Sequence, residues 1–302
     1  MSEANGYKRK RGDTRYGRRV YDMTGLNVIM MHIFPKRTES EVFMLDDFDI
    51  TDLMAFINER NKTHPEYKTT IFHALVFAIA KMVNERPKMN RFIQGRRTYE
   101  HYDISMGFMA KRRFADGAEE KFMWLVPKED DTLDTLSHRI YGDVTQARKS
   151  ETAVAGDSID NVVNSFAKIP RLLLMFIVRV VRWLDFWGKV PAALSEGDSN
   201  FASVLITNLG SIKAPAVYHH LNNYGTTSMA VAVGTIHKKE MIMPDGTKQI
   251  RDVVDIGVTL DERIADGFYF ARSLRVVKYL LANPELLEEQ FNTPTGFDYE
   301  GK

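Results

Sequence analysis

Cysteine is absent from the 302-residue sequence. The chain therefore has no disulfide, no thiolate metal site and no cysteine nucleophile, and this composition fits a reducing cytoplasm. An excess of one charge is absent too, because 41 Lys and Arg residues stand against 40 Asp and Glu residues. This balance argues against a wholly basic nucleic-acid binder. Because 44% of the residues are apolar, enough for a sizeable core, we expect a cytoplasmic globular protein with no nucleic-acid partner.

The sequence also lacks an export signal. Residues 1–25 form a basic segment, in which seven of the first 20 residues are Lys or Arg, and no apolar core follows it. We expect this segment to be a solvated tail, as blocks of like charge usually are. No HExxH, GxSxG, GxGxxG or phosphate-loop motif is present, so neither a metal site nor a nucleotide-binding loop is predicted.

Residues 169–194 are the most apolar stretch of the chain, but Arg171, Arg179, Arg182 and Asp185 interrupt them. A membrane-spanning helix needs about 20 mostly apolar residues. The apolar residues recur at helical spacing, so we predict an amphipathic helix that packs on its own domain or on a neighbouring subunit. Peripheral contact with a membrane surface is a less favoured alternative, based on the Arg and Trp content. The apolar positions are Leu172, Phe176, Val180, Trp183, Leu184 and Trp187.

Strands and helices alternate along the first half of the chain. Residues 27–34 and 41–48 are predicted to be strands, and Asp49 or Thr51 is placed to cap the helix that follows. Residues 70–84 are apolar on nearly every side, which is typical of a central buried helix, and His73 is expected to be a core histidine. Short strands are then predicted at 97–99, 102–109 and 122–126, before a helix with Leu133, Leu136, Ile140 and Val144.

The second half contains the clearest strands, at residues 203–207, 229–236 and 253–259. The last two flank a hairpin turn that includes Gly246, and a final helix is predicted from Asp266. The pattern indicates one α/β (α+β) domain over residues 26–290, with a mixed sheet flanked by helices. An insertion at about 165–195 and a C-terminal tail at 291–302 complete the predicted organisation.

Two short segments carry a family resemblance. One is LITNLGSI, residues 205–212, and the other is LDERIADG, residues 260–267, which is followed by a helix and by NPELL at 283–287. In this order and spacing they resemble the catalytic domain of the dihydrolipoyl acyltransferases of 2-oxoacid dehydrogenase complexes. They are more distantly similar to chloramphenicol acetyltransferase. The resemblance covers residues 26–287, apart from the insertion.

The resemblance implies acyl transfer between coenzyme A and a second acceptor. In this family a histidine of an HxxxDG motif deprotonates the attacking thiol, and a hydroxyl at a strand end donates a hydrogen bond to the tetrahedral oxyanion. The fold is a chloramphenicol acetyltransferase-like mixed sheet, and trimers hold active sites between subunits. We therefore expect acyl-CoA as a substrate, no covalently bound cofactor, and a homotrimer or a higher assembly of trimers. Because the resemblance begins near residue 26, no lipoyl-bearing arm is expected.

Glu262 stands at the position of the family's catalytic histidine, whereas Asp266 and Gly267 keep the rest of the motif. Thr207 keeps the hydroxyl of the oxyanion donor. The resemblance therefore assigns catalytic positions to Glu262, Thr207 and Asp266. It implies substrate-binding positions at Asn208, Gly210 and Ser211.

A carboxylate base is a departure that weakens the catalytic assignment. A Glu with a pKa of about 4.3 is a poor match for a thiol at about 8.5, unless burial in an apolar channel raises the pKa of the Glu. Pairing with Arg263 would hold Glu262 charged, although successive residues usually point apart. His219 and His220 are alternative bases, of which only one can point at a given site. A structural charge network at this corner, in which Asp266 caps the last helix, is also open.

Three functions are consistent with the sequence. The leading hypothesis is a coenzyme-A-dependent acyltransferase acting on a thiol, amine or hydroxyl acceptor. The second is a catalytically degenerate trimeric scaffold or acyl-CoA-binding protein. The third is a peripheral membrane or nucleic-acid-associated protein that uses the basic segment and the Arg/Trp helix.

Overall fold

A six-stranded mixed sheet forms the centre of the computed structural model, which describes residues 7–63, 67–111, 120–149 and 169–300. A three-stranded sheet lies beside it. The strands are β1 (Gly17–Arg19), β2 (Glu41–Asp49), β3 (Arg91–Gln94), β4 (Arg97–His101), β5 (Met106–Lys111), β6 (Glu120–Leu125), β7 (Val204–Asn208), β8 (Met229–Ile242) and β9 (Lys248–Asp261). The helices are α1 (Gly25–Ile33), α2 (Thr51–Thr63), α3 (Ile71–Glu85), α4 (Leu133–Lys149), α5 (Arg171–Phe186) and α6 (Gly267–Ala282).

The strand order of the large sheet is β2-β9-β8-β7-β5-β6. β7 pairs in parallel with both β5 and β8, and the other neighbours pair antiparallel. In this register Thr207 lies opposite Ala232, and Ala232 lies opposite Gly257. The predicted fold class, a mixed sheet flanked by helices, is confirmed.

One face of the large sheet packs on helices, and the central one is α3. Ile206 of β7, Val231 of β8 and Leu260 of β9 share one hydrophobic core with the apolar residues of α3 and α6. The helix begins as predicted, because the hydroxyl of Thr70 accepts a hydrogen bond from the backbone N–H of His73 (3.4 Å). Burial lowers the pKa of His73 to about 4. His73 is therefore a neutral core histidine, as expected.

The opposite face of the large sheet is covered by a loop, residues 213–228. A Cβ atom added at Gly234 of β8 would lie 2.4 Å from the backbone nitrogen of Ala216, and one at Gly257 of β9 would lie 2.5 Å from the carbonyl oxygen of Val217. The lack of a side chain at both positions lets the loop rest directly on the strands. We refer to this side as the loop face of the sheet.

The strand predicted over residues 27–34 is wrong, because these residues belong to helix α1. The hydroxyl of Thr24 accepts a hydrogen bond from the backbone N–H of Asn27 (3.3 Å), which satisfies a free donor of the first turn. Only Met31 of this helix is buried, so the run of apolar residues reflects an exposed helical surface rather than a sheet core. The strand predicted from residue 102 begins only at Met106, and the short strands β1 and β3 were not predicted.

Both terminal segments contribute packed residues. β1 pairs with β4, and the ring of Tyr16 lies 4.6 Å from the ring of Phe201. Near the other end, Phe291 is buried in the main core, and Thr295, four residues further along the chain, is also buried. The described part of the basic segment therefore lies against the domain.

Helix α5 forms where the amphipathic helix was predicted and is followed by Gly188, whose φ is +65°. Leu172 and Trp183 are 81% and 60% exposed and only Asp185 of the helix is buried, so these two apolar side chains do not pack on the described part of their own domain. Packing of the helix on a neighbouring subunit stays a prediction. No helix among the described residues is both long and apolar enough to cross a membrane. Residues 165–168, the start of the predicted insertion, lie outside the described residues.

Candidate active site

Thr207 lies near the end of β7, in the centre of the large sheet. Its neighbours Ile206 and Val204 point into the helix core, so strand alternation directs Thr207 to the loop face. The side chain is half-buried, and its hydroxyl makes no hydrogen bond to the described part of the chain. It is thus available as a donor to a ligand on this face.

The three residues predicted to bind substrate form the turn after Thr207. Two hydrogen bonds join Asn208 and Ser211, and Gly210 lies close to β8. The Asn208 side-chain oxygen accepts a hydrogen bond from the Ser211 N–H (3.2 Å), and the Ser211 hydroxyl donates to the Asn208 carbonyl (2.8 Å). A Cβ atom added at Gly210 would lie 2.3 Å from the carbonyl oxygen of Gly234. In the free chain these residues therefore fix the end of β7 against β8.

Glu262 follows the last residue of β9. Its backbone N–H donates a hydrogen bond to the carbonyl of Ser40 (2.9 Å), which fixes the main chain at this corner. The side chain is half-buried, and its carboxylate forms no hydrogen bond or ion pair with the described residues. Glu262 is therefore outside the charge network that was the structural alternative for it.

That charge network instead joins Asp261 to two arginines. Arg263 donates to Asp261 from Nε (2.8 Å) and Nη2 (2.6 Å), and the Ser40 hydroxyl donates to the same carboxylate (3.0 Å). Arg37 Nε lies 3.6 Å from Asp261, and Arg37 Nη2 donates to the carbonyl of Gly225 (3.0 Å). Burial lowers the pKa of Arg37, and the charge of Asp261 opposes this shift. The network ties the covering loop to the end of β9.

The sequence analysis did not single out Asp261 or Arg37 as network members. Strand alternation could have indicated the orientation of Asp261. Because Leu260 faces the helix core, the next residue, Asp261, must face the loop side of the sheet. Arg37 lies in a short 3-10 turn before β2 with no motif around it. Only the folded chain brings it to the Asn222–Gly225 part of the loop.

Asp266 acts as the N-cap of α6. Its carboxylate accepts a hydrogen bond from the backbone N–H of Tyr269 (2.8 Å), and its side chain is exposed. This bond satisfies one of the free donors at the helix start. The structure therefore shows Asp266 in the capping role that was considered for it.

His219 and His220 lie in the loop that crosses the sheet, at its far end from Thr207. The backbone N–H of the next residue, Leu221, donates to the carboxylate of Glu41, which lies opposite Asp261 in the register. The histidines therefore lie at the same end of β2 and β9 as Glu262. We call Glu262, His219 and His220 the β9 corner.

The two imidazoles of the β9 corner are stacked, with ring centroids 5.3 Å apart. Nδ1 of His219 lies 2.8 Å from the carbonyl oxygen of His220. A carbonyl only accepts, so Nδ1 of His219 carries the proton of this bond. In the neutral form of the half-buried His219, Nε2 then carries the lone pair that a general base requires.

Within one chain, Thr207 and the β9 corner do not meet. Thr207 lies two strands away from its counterpart Gly257 on β9, and Gly257 precedes Glu262 by five residues. At the usual strand spacing and rise, the two positions are roughly 20 Å apart. A site that contains both the hydroxyl and the β9 corner needs two copies of the chain.

Residues 192–288 match the model of the family described as 2-oxoacid dehydrogenases acyltransferase (catalytic domain). This match contains Thr207 and the whole β9 corner. The resemblance inferred from the sequence is confirmed. The correspondence of Glu262 to the family's histidine stays a prediction.

A curated relative extends the likeness over most of the chain. The lipoamide acyltransferase component of the branched-chain alpha-keto acid dehydrogenase complex of Bacillus subtilis (strain 168) is 23% identical over 252 residues. This match covers 82% of the present chain and 48% of the relative, so the chain spans about half the length of that relative.

The solved structures show the fold. A probable dihydrolipoamide acetyltransferase from Listeria monocytogenes is 18% identical with a TM-score of 0.56, covering 88% of this chain and 95% of that one. The cubic core of a pyruvate dehydrogenase multienzyme complex is 16% identical with a TM-score of 0.58, covering 94% of this chain and 95% of that one. The fold of this protein is therefore similar to the fold of these two structures.

Proposed function

We propose that this protein is a coenzyme-A-dependent acyltransferase whose active site lies between copies of the chain in a homo-oligomer, with a trimer as the expected form. The observation that carries the proposal is the hydroxyl of Thr207 on the loop face, together with the carboxylate of Glu262 at the β9 corner, because neither group has a hydrogen-bond partner among the described residues. The family match over residues 192–288 supports the same chemistry.

In the proposed reaction the acyl thioester of acyl-CoA lies beside Thr207. A base of the β9 corner of another copy takes the proton from the acceptor, a thiol, amine or hydroxyl, which attacks the thioester carbonyl. The Thr207 hydroxyl donates a hydrogen bond to the resulting oxyanion. The intermediate then collapses, the acyl group stays on the acceptor, and coenzyme A leaves as a thiol after the base returns the proton.

Two groups compete for the role of base. The carboxylate of Glu262 has no partner among the described residues, and Nε2 of His219 carries the lone pair when the ring is neutral, because Nδ1 donates to a carbonyl. A positioned base contributes about 10²–10⁴ in rate, so removal of the true base is easily measured. Asp266 enters the proposal only as the residue that fixes the start of α6 behind this corner.

The test follows conversion of acetyl-CoA to coenzyme A by chromatography, with dihydrolipoamide as acceptor, in the parent and in Glu262→Gln, Glu262→His and His219→Gln. We expect turnover in the parent and a loss of about 10²–10⁴ in the variant that lacks the base. Thr207→Ala should lower turnover by about 10²–10³, whereas Thr207→Ser keeps the hydroxyl and should retain most of it. Equal rates in Thr207→Ala and the parent would remove the oxyanion assignment.

A second candidate is an acyl-CoA-binding protein or trimeric scaffold that has lost the chemistry. The observation that favours it is the glutamate at residue 262, because no described residue hydrogen bonds to this carboxylate to orient it as a base. Acyl-CoA binding in the parent without turnover, together with activity gained in Glu262→His, would favour this function over the enzyme.

A further inference from the structure

Helix α5 presents an apolar surface to solvent. Leu172, Phe176 and Trp183 are 81%, 62% and 60% exposed. Single exposed apolar residues are ordinary, but a contiguous apolar surface on one helix indicates a binding surface. The other exposed apolar residues of the helix and its end are Leu173, Met175, Val178, Val180, Phe186 and Trp187.

All the exposed charges of α5 are positive. Arg171, Arg179 and Arg182 are exposed, and none of them forms an ion pair with a carboxylate in the described part of the chain. The one acid of the helix, Asp185, is buried and accepts hydrogen bonds from the Gln94 side chain (3.1 Å) and the Gly225 N–H (3.3 Å). The outward surface of the helix is therefore apolar and cationic, with no acid on it.

Further positive charge borders the C-terminal end of this helix. Gly188 packs on Thr14, since a Cβ atom there would lie 2.8 Å from Thr14 Cγ2, and Gly95 packs on the Phe186 carbonyl. The first contact brings the basic N-terminal segment to this end of α5, and the second brings the tip of the β3–β4 hairpin. The exposed cations of these two segments are Lys8, Arg9, Lys10, Arg11, Arg96 and Arg97, together with Arg18, which is paired with Glu100.

We propose that α5 binds the surface of an anionic lipid bilayer. The helix of 16 residues lies in the plane of the membrane, with Leu172 and Phe176 among the acyl chains and the arginines on lipid phosphates. Trp183 and Trp187 suit the interface, where an apolar ring and a polar N–H are both satisfied. The lipid supplies both the apolar contact and the negative charge that this surface lacks.

Charge distinguishes the membrane from the α5 helix of a second copy as the occupant. In a two-fold interface the same patch faces itself, so the arginines of one α5 would meet those of the other with no exposed acid of the helix between them. Like charges in close contact oppose association. An anionic bilayer has no such conflict.

The test is co-sedimentation of the full chain with vesicles of phosphatidylcholine and phosphatidylglycerol, compared with vesicles of phosphatidylcholine alone. We expect binding to the anionic vesicles that weakens with salt. Phe176→Gln should reduce the partition coefficient at least tenfold, because a buried aromatic side chain is lost from the bilayer. Arg179→Gln should reduce it about fivefold at low salt.

The matched control is Ile242→Gln on the β8–β9 hairpin, where the side chain is 74% exposed and lies outside α5. This variant should bind vesicles as the parent does. The substituted side chains are all exposed, so circular dichroism should show each variant to be folded. Absence of binding to anionic vesicles, or equal binding by Phe176→Gln and the parent, overturns the proposal. So does a parent oligomer that Phe176→Gln converts to monomer while neither protein binds vesicles, because α5 is then an interface between copies.

Discussion

Arg263 pairs through two side-chain hydrogen bonds with Asp261, whereas the carboxylate of Glu262, the residue between them, has no partner in the described part of the chain. Asp261 is fully buried, and Arg37 approaches it from the other side. Adjacent acids in the same motif therefore have different surroundings. One holds the corner together, and the other is free for chemistry.

Asp261→Asn should be strongly destabilising. The amide keeps the shape but removes the negative charge between Arg37 and Arg263, which stay buried. Breaking a buried ion pair by removing one partner costs about 3–5 kcal/mol. The free energy of unfolding from urea titration measures this loss.

Glu262→Gln is the matched control, because it makes the same acid-to-amide change one residue further along. We expect the free energy of unfolding to change by no more than about 0.5 kcal/mol, as for a surface substitution. Equal losses of stability at residues 261 and 262 would show that Glu262 belongs to the structural network after all.

A mixture of two inactive variants tests the shared site. If Thr207 of one copy works with Glu262 of another, then Thr207→Ala and Glu262→Gln damage different halves of each site. Oligomers re-formed from an equal mixture should recover about one quarter of the parent activity, because that share of the interfaces joins two intact halves. Activity no higher than that of the separate variants would show that Thr207 of one copy and Glu262 of another do not share a site.

The motif positions and the long elements could be predicted from the sequence. Each of three features depends on a local pattern. A run of apolar residues marks the buried helix α3, a Thr-Asn turn marks the end of β7, and an Asp before a helix marks the cap of α6. Helix α1 was not predicted because its apolar residues are mostly exposed. Their spacing therefore does not mark one buried face of a helix.

The arrangement of the candidate site could not be predicted, because strand register decides it. The sequence places Thr207 and Glu262 in two motifs, but only the pairing of β7 with β8 and of β8 with β9 shows that they lie far apart in one chain. Arg37 reaches the Gly225 carbonyl across 188 positions of sequence, a contact that no local pattern encodes.

Alanine at Gly210 should destabilise the protein and disturb the end of β7. The new Cβ would lie 2.3 Å from the Gly234 carbonyl, so the turn after β7 must move away from β8. Overpacking of this kind typically costs about 1–3 kcal/mol. Thermal unfolding measures the effect, and turnover should fall with it because Thr207 moves.

Gly142→Ala is the control for that substitution. Gly142 lies in helix α4, where a Cβ atom would meet nothing within 4 Å. Alanine there should raise the stability by about 0.5–1 kcal/mol, since glycine is a poor helix former. Similar changes in stability at Gly210 and Gly142 would contradict the close approach of the turn after β7 to β8.

Acid should destabilise the fold partly through His73. Burial lowers its pKa to about 4, whereas the unfolded chain has the ordinary value of about 6.5. Above pH of about 6.5 the residue is neutral in both states, and the stability is complete. As the pH falls from there to about 4, only the unfolded chain takes up the proton, so on the order of 3 kcal/mol is lost.

His73→Gln should flatten this pH dependence. The side-chain oxygen of Gln can accept the hydrogen bond that the Thr70 N–H now donates to Nδ1 of His73, so the start of α3 is kept. His101 is also buried with a lowered pKa of about 3, and the slope that it causes should remain. Urea titrations at a series of pH values between about 4 and 7 measure the difference. If the parent and the variant lose stability in parallel over this window, His73 is not the group that takes up the proton on unfolding.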